Sequence, residues 1–338
     1  MRDMLKKLPK VELHCHLDGS VRPETMYELL LEEKDLENIS LEEFEKMVKV
    51  EDGCNSLVEY LEKFSYPLKI MQSKENIERI TYELLEDLSK QNVKYAEIRF
   101  APFLFMKKGL SFDEAVESVL KGMERAKKDF NILSNAILAC MRYESVDKSI
   151  EVVKKGEKFL GKGVVAVDLA GGEEGFPPEK HKEAFDLAYE KGYNITVHAG
   201  ETGRDENIIK SVELLHAQRI GHGIAAIKNP NIMKLLKEKD IFLEMCPISN
   251  LQTKAVNSID EYPIREFLNN DILVTVNTDN TTVSNTSLDK EYSLLIEELG
   301  FSIEDIMKIM ENSVKATFLP EEEKNHLKRI IEDSLKNI

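Results

Sequence analysis

The chain lacks most of the signals that would place it outside a reducing, aqueous compartment. Its four cysteines, Cys15, Cys54, Cys140 and Cys246, are scattered and form no Cys-x-x-Cys pair. That spacing argues against a disulfide framework and against a cysteine-rich zinc site, and it fits a cytoplasmic protein. No stretch is apolar for long enough to span a bilayer, and the basic N-terminus lacks the apolar run of a signal peptide. Positive charge is scarce: 46 Lys and Arg stand against 62 Asp and Glu, a formal charge of −16, with no basic tract. Such a field repels phosphate backbones and anionic lipid surfaces, so neither nucleic acid nor a membrane is the expected partner. Internal repeats, linkers and low-complexity segments are also missing, which favours one domain over residues 1–338.

What is present is a core. Hydrophobic residues make up 42% of the 338 positions. Eight short, β-branched apolar runs recur at 11–16, 95–100, 132–141, 164–169, 195–198, 219–222, 241–246 and 273–278. They are continuous rather than alternating, as in strands covered on both faces. Helical periodicity fills the gaps, with capping-box patterns at Ser40-x-x-Glu43, Ser56-x-x-Glu59 and Ser111-x-x-Glu114. Eight strands alternating with helices predict an α/β protein, a (β/α)₈ TIM barrel, with a doubly wound open sheet as the rival. The segment 20–92 is too long for one crossover helix. It is expected to hold at least three helices, as an insertion roofing the barrel mouth.

The reactive residues choose between these folds. His14, His16, His198, His222 and Asp279 fall where four of the apolar runs end. A closed barrel gathers those ends around one mouth, whereas an open sheet scatters them. His14 and His16 are two apart, so on a strand they share a face while Cys15 points away. Three imidazoles and a carboxylate suit one Zn²⁺ with an open position left for water. Against this stands a plainer reading, in which Asp279 forms an Asx turn and His222 is a satisfied core histidine. Glu201, three residues beyond His198 in a Gly-containing turn, is placed to face a substrate and act as an acid. Its plainer role is a helix N-terminal carboxylate. Cys246 is read as a packed thiol.

The motifs occur in one order. They are Leu8-Pro9-Lys10-Val11-Glu12-Leu13-His14-Cys15-His16-Leu17-Asp18-Gly19, Asp168-Leu169-Ala170-Gly171, His198-Ala199-Gly200-Glu201, Arg219-Ile220-Gly221-His222-Gly223, Cys246-Pro247-Ile248-Ser249-Asn250 and Asn277-Thr278-Asp279. As an ordered set they closely resemble the adenosine deaminase family of zinc metallohydrolases. The resemblance implies a barrel, one zinc ion, and hydrolysis of adenosine or 2′-deoxyadenosine to the 6-oxo nucleoside with release of ammonia. It implies His14, His16, His198 and Asp279 as zinc ligands. Glu201 would be the proton donor to ring N1, and His222 the base or electrostatic partner of the attacking oxygen. On the substrate side it implies His16 beside the metal, the Gly171 amide at purine N3, Asp18 at the ribose 5′-hydroxyl, and Asn280 near N7.

One position departs from that pattern. Many family members carry two consecutive aspartates where this chain has Asp279-Asn280, so an amide replaces a carboxyl beside the purine. Two other functions compete with adenosine deamination. One is deamination of adenine or a modified adenine nucleoside. The other is a zinc-stabilised binding protein, which leaves Glu201 and His222 without a task.

Overall fold

The computed structural model describes residues 2–34, 36, 39–50, 54 and 56–335. Eight strands pair in chain order, every pair parallel: β1 (Lys10–His16), β2 (Val93–Phe100), β3 (Leu133–Met141), β4 (Val164–Ala170), β5 (Asn194–Ala199), β6 (Arg219–His222), β7 (Phe242–Met245) and β8 (Leu273–Val276). The circle closes just past β8. The His16 N–H donates to the Asp279 carbonyl at 2.7 Å, and the Asp279 N–H donates to the His14 carbonyl at 2.8 Å. The fold is therefore the (β/α)₈ barrel and not the open sheet.

All eight apolar runs became strands. The last two are shorter than expected, for local reasons. Pro247 opens the helix Pro247–Gln252 and ends β7 before Cys246. After Val276, Asp279 adopts a left-handed backbone with φ 60°, which turns the chain out of the ladder.

The barrel interior is charged, which the apolar runs did not announce. Arg99 on β2 donates to Asp168 on β4 at 2.9 Å and to Glu244 on β7 at 2.8 Å, and all three are fully buried. These strands are not neighbours, so the bonds cross the inside of the barrel. Arg219 on β6 pairs with Glu97 at 2.7 Å and with Glu244 at 2.6 Å. The apolar shell lies outside the strands, where residues such as Ile195, Val197 and Leu243 pack under the helices. Leu327 and Ile331 of the helix Glu321–Leu335 pack with Val11, Leu13 and Tyr95, covering the end opposite the mouth.

Between β1 and β2 the described residues form five helices: Pro23–Glu32, Leu41–Val48, Leu57–Glu62, Ser65–Ile70 and Lys74–Lys90. Ser40 and Ser111 make full capping boxes with Glu43 and Glu114, and Ser56 accepts from the Glu59 N–H. Among the described residues no helix is long and apolar enough to cross a membrane.

Candidate active site

The C-terminal ends of the strands surround a cavity of about 230 Å³. His16, Asp18, Gly171, His198, Glu201, His222, Asp279 and Asn280 all line it. His14 lies beneath, fully buried. Every residue singled out in the sequence is thus in one place, although they come from β1, β4, β5, β6 and the turn after β8.

At the floor, ligand atoms converge. The His16 and His198 Nε2 atoms are 3.1 Å apart, and Asp279 Oδ1 lies 3.5 Å from Nε2 of both His14 and His16. The His14, His16 and His198 ring nitrogens fall within 4.8 Å of one another. Two of these rings are set from behind. His14 Nδ1 donates to Glu244 Oε2 at 2.8 Å, and His198 Nδ1 donates to Asp168 at 3.0 Å. With the proton held at Nδ1, a neutral imidazole turns a lone pair forward at Nε2.

The result is a buried group of lone pairs and a carboxylate facing one another. His14 Nε2 has no hydrogen-bond partner at all. Two lone pairs at hydrogen-bonding distance repel unless a proton or cation stands between them. The donor set, three imidazole nitrogens and one carboxylate oxygen, suits Zn²⁺.

The electrostatics agree. Burial alone would raise the Asp279 carboxyl, but the facing imidazoles, His14 foremost, outweigh it and hold the group well below the usual range. Burial works against ionisation of Asp168 too, yet His198 and Arg99 keep it low. Burial likewise lowers the His16 imidazole despite nearby Asp279, leaving it neutral. Cys246 is close, but burial pushes its thiol well up and its Sγ–H points to the Glu244 carbonyl, so it is a packed thiol.

Local structure explains how the rings fit. Gly221 on β6 passes so near that a Cβ there would lie 3.0 Å from His14 Cε1 and 3.2 Å from the His198 Cα. A side chain there would press both histidines out of place by a few tenths of an ångström. Asp279 and His222 hold left-handed backbones, φ 60° and 62°. For non-glycine residues this costs about 1–3 kcal/mol each and is concentrated at functional sites. Asp279 Oδ2 is fixed by Ser249 Oγ at 2.6 Å, which leaves Oδ1 for the cluster.

Beside the cluster stand Glu201 and His222, with Oε2 and Nε2 3.7 Å apart. The Asn250 amide is oriented by Tyr262, whose hydroxyl donates to Oδ1 at 3.1 Å. Its Nδ2 therefore donates to His222 Nδ1 at 2.9 Å. A neutral His222 then presents Nε2–H to the cavity. Asp18 is buried, and burial raises its carboxyl to about 6. Asn280 Nδ2 donates to the Tyr60 hydroxyl at 2.9 Å, while its Oδ1 is buried without a partner. Leu57, Tyr60, Leu61 and Phe64 of the insertion, with Leu104 and Met141, supply the apolar wall. Among the described residues, no lysine or arginine lines the cavity.

Sequence reasoning missed the supporting residues: Glu244, Asp168 as a histidine partner, Arg99, Asn250 and Glu173. A signal for some was present. Arg99, Asp168 and Glu244 are charges inside runs that otherwise read as buried on both faces, and such charges must find partners.

A histidine–aspartate cluster at the C-terminal mouth of a (β/α)₈ barrel, with a carboxyl and a further imidazole facing the same cavity, defines the class of metal-dependent barrel hydrolases. The family profile described as adenosine deaminase matches residues 9–334, and the chain belongs to that family. It is 51% identical over 328 residues to the adenosine deaminase of Clostridium kluyveri, covering 97% of this chain and 94% of that one. Among solved structures it is similar to an adenine deaminase from Arthrobacter aurescens, with a TM-score of 0.90, 25% identity, and 97% and 99% of the two chains covered. It is equally similar to a zinc-bound amidohydrolase from Burkholderia ambifaria, with a TM-score of 0.90, 25% identity, and 99% and 94% covered.

Proposed function

We propose that this chain hydrolyses adenosine and 2′-deoxyadenosine at C6, releasing ammonia and the 6-oxo nucleoside, with a single zinc ion held by His14, His16, His198 and Asp279. The observation that carries this reading is the convergence of the His14, His16 and His198 nitrogens and Asp279 Oδ1 beside Glu201 and His222. When bound there, zinc supplies a Lewis acid that lowers the pKa of water toward neutrality.

The chain's own groups account for the rest of the chemistry. An aromatic C6 resists attack until ring N1 is protonated. Glu201 is the acid for that step, placed on the turn after β5 with its carboxyl inside the cavity. His222 presents Nε2–H toward the attacking oxygen, because Asn250 occupies Nδ1. Its role is therefore that of a positioned donor which stabilises charge on that oxygen, and not of a base. Water adds its oxygen to C6 and the C6–N bond breaks; one water proton leaves with the amine as ammonia, and the other restores Glu201, whose own proton stays on N1.

The substrate class follows from the walls. The Gly171 amide and the Asn280 amide offer donors to purine ring nitrogens. Asp18 offers a carboxyl to a ribose hydroxyl. With no lysine or arginine among the described lining residues, a 5′-phosphate would enter without a counter-charge from them. A nucleoside fits better than a nucleotide, and Asp18 would lack a partner with free adenine.

The test is a substrate panel on zinc-loaded protein, followed by the ultraviolet change from 6-amino to 6-oxo purine. Adenosine and 2′-deoxyadenosine are expected to turn over at least tenfold faster than adenine or AMP. A flat trace with both nucleosides overturns the reading.

A further inference from the structure

We infer that Glu173, which does not touch the cavity, is a positioning residue that aims Glu201. The inference rests on Glu201 being the proton donor.

Glu173 follows β4 and is 3% exposed. Its Oε1 accepts from the N–H groups of Glu201 at 2.8 Å and Thr202 at 3.2 Å, and from the Thr202 hydroxyl at 3.5 Å. Its Oε2 accepts from the Gly200 N–H at 3.0 Å and from Asn207 Nδ2 at 2.7 Å. Three consecutive backbone N–H groups thus converge on one point. Such a concavity is built to take an anion, and here the chain's own carboxylate fills it. Bonds to an ionised acceptor are the stronger kind.

The turn so gripped is the one that carries Glu201. Glu201 Oε2 lies 3.7 Å from His222 Nε2, beyond hydrogen-bonding distance. Where its carboxyl points is therefore set by the backbone, and the Glu201 N–H is bonded to Glu173. The other end of the brace is the β4 loop, whose Gly171 and Gly172 line the cavity. One carboxylate ties the loop that meets the ligand to the turn that bears the acid.

Arg142 links the same two segments a second time, donating to the carbonyls of Phe176 and His198. The loop therefore stays attached when Glu173 is changed. What is lost is the aim of the turn, and a displacement of about 1 Å costs roughly 100-fold in rate.

Glu173→Gln keeps the volume but accepts at one oxygen only, and it turns an N–H toward donors at the other. The expected result is a kcat lowered about 100-fold, KM within about threefold, and zinc content unchanged. In a double-mutant cycle Glu173→Gln/Glu201→Gln should be no slower than Glu201→Gln alone, because the brace has nothing left to aim. A purely structural role would make the two losses multiply, and that outcome overturns the inference, as does a Glu173→Gln rate within threefold of wild type. If Glu173→Gln fails to fold, Asn207→Ala removes one donor and carries the same cycle, with a kcat lowered about fivefold; multiplication with Glu201→Gln then overturns it. A Glu201→Gln enzyme with normal turnover is a different failure, since it removes the acid assignment itself.

Discussion

His14 Nδ1 lies 2.8 Å from Glu244 Oε2, and both side chains are fully buried. Glu244 sits on β7, two strands around the circle from both β1 and β5. Burial opposes its ionisation, but Arg99 and Arg219 hold the carboxyl well below its usual range. The charge that orients one imidazole is thus maintained by two guanidinium groups, and Arg99 also holds Asp168, which orients His198. The cluster at the mouth is built on an ionic framework one layer deeper in the barrel.

Glu244→Gln tests that framework. The amide no longer compels His14 to carry its proton at Nδ1, and it leaves Arg99 and Arg219 short of a negative charge. Zinc affinity is expected to fall about 10–100-fold, the usual effect of losing a ligand's outer partner. Competition with a chelator followed by elemental analysis measures it. His14→Ala should lose the metal outright in the same assay, and equal zinc retention by both variants would refute the assignment.

On the proposed assignment, Glu201→Gln removes a proton donor and no ligand. Its kcat should fall by roughly 10²–10⁴ while zinc content stays at the wild-type ratio. Steady-state kinetics with metal analysis on one preparation separates this from a metal-loss artefact.

The insertion reaches the site through Tyr60. Its hydroxyl accepts from Asn280 and bonds to Ser284 Oγ at 2.6 Å. Tyr60→Phe removes one partner and is expected to lower kcat/KM for adenosine about 3–10-fold, the effect of about 1 kcal/mol from one hydrogen bond. Gly19→Ala should do more. A Cβ at Gly19 would stand 1.7 Å from Asn280 Oδ1, so the amide must move. If Gly19→Ala matches wild type in kcat/KM, Asn280 does not contact the substrate.

Glu291 gives a pH signature away from the cluster. It is fully buried, accepting from Thr286 Oγ1 at 2.6 Å and the Ile248 N–H at 3.1 Å, and burial raises its carboxyl to about 8. Below about pH 4.5 it is protonated whether the chain is folded or not, and it adds nothing to the pH dependence. Between about 4.5 and 8 the unfolded chain releases the proton while the fold retains it, so this group makes the fold less stable as pH rises. Glu291→Gln cannot titrate. Its stability gain over wild type should grow from near zero at pH 4.5 to on the order of 4 kcal/mol at pH 8. Denaturant titrations across that range measure it, and a pH-independent difference would refute the shift.

The amino-acid sequence by itself determined the barrel and the identity of the groups at its mouth. Continuous apolar runs such as 164–169 and 195–198 declare strands covered on both faces, because nothing else buries every side chain of an extended segment. Two residues of separation put His14 and His16 on one face, because side chains on a strand alternate. Local rules of this kind need only neighbours along the chain.

Tertiary structure alone decided what stands behind those groups. Periodicity says which way a side chain points but not what it meets. Glu244 reaches His14 across 230 positions of chain, and Glu173 reaches Glu201 across 28. The left-handed turn at Asp279 closes the barrel through β1, and the Asn250 amide decides which nitrogen of His222 faces the cavity. Each of these depends on register and on distances across the barrel. A buried charge obliges the fold to bring it a partner, and only the closed sheet determines which one arrives.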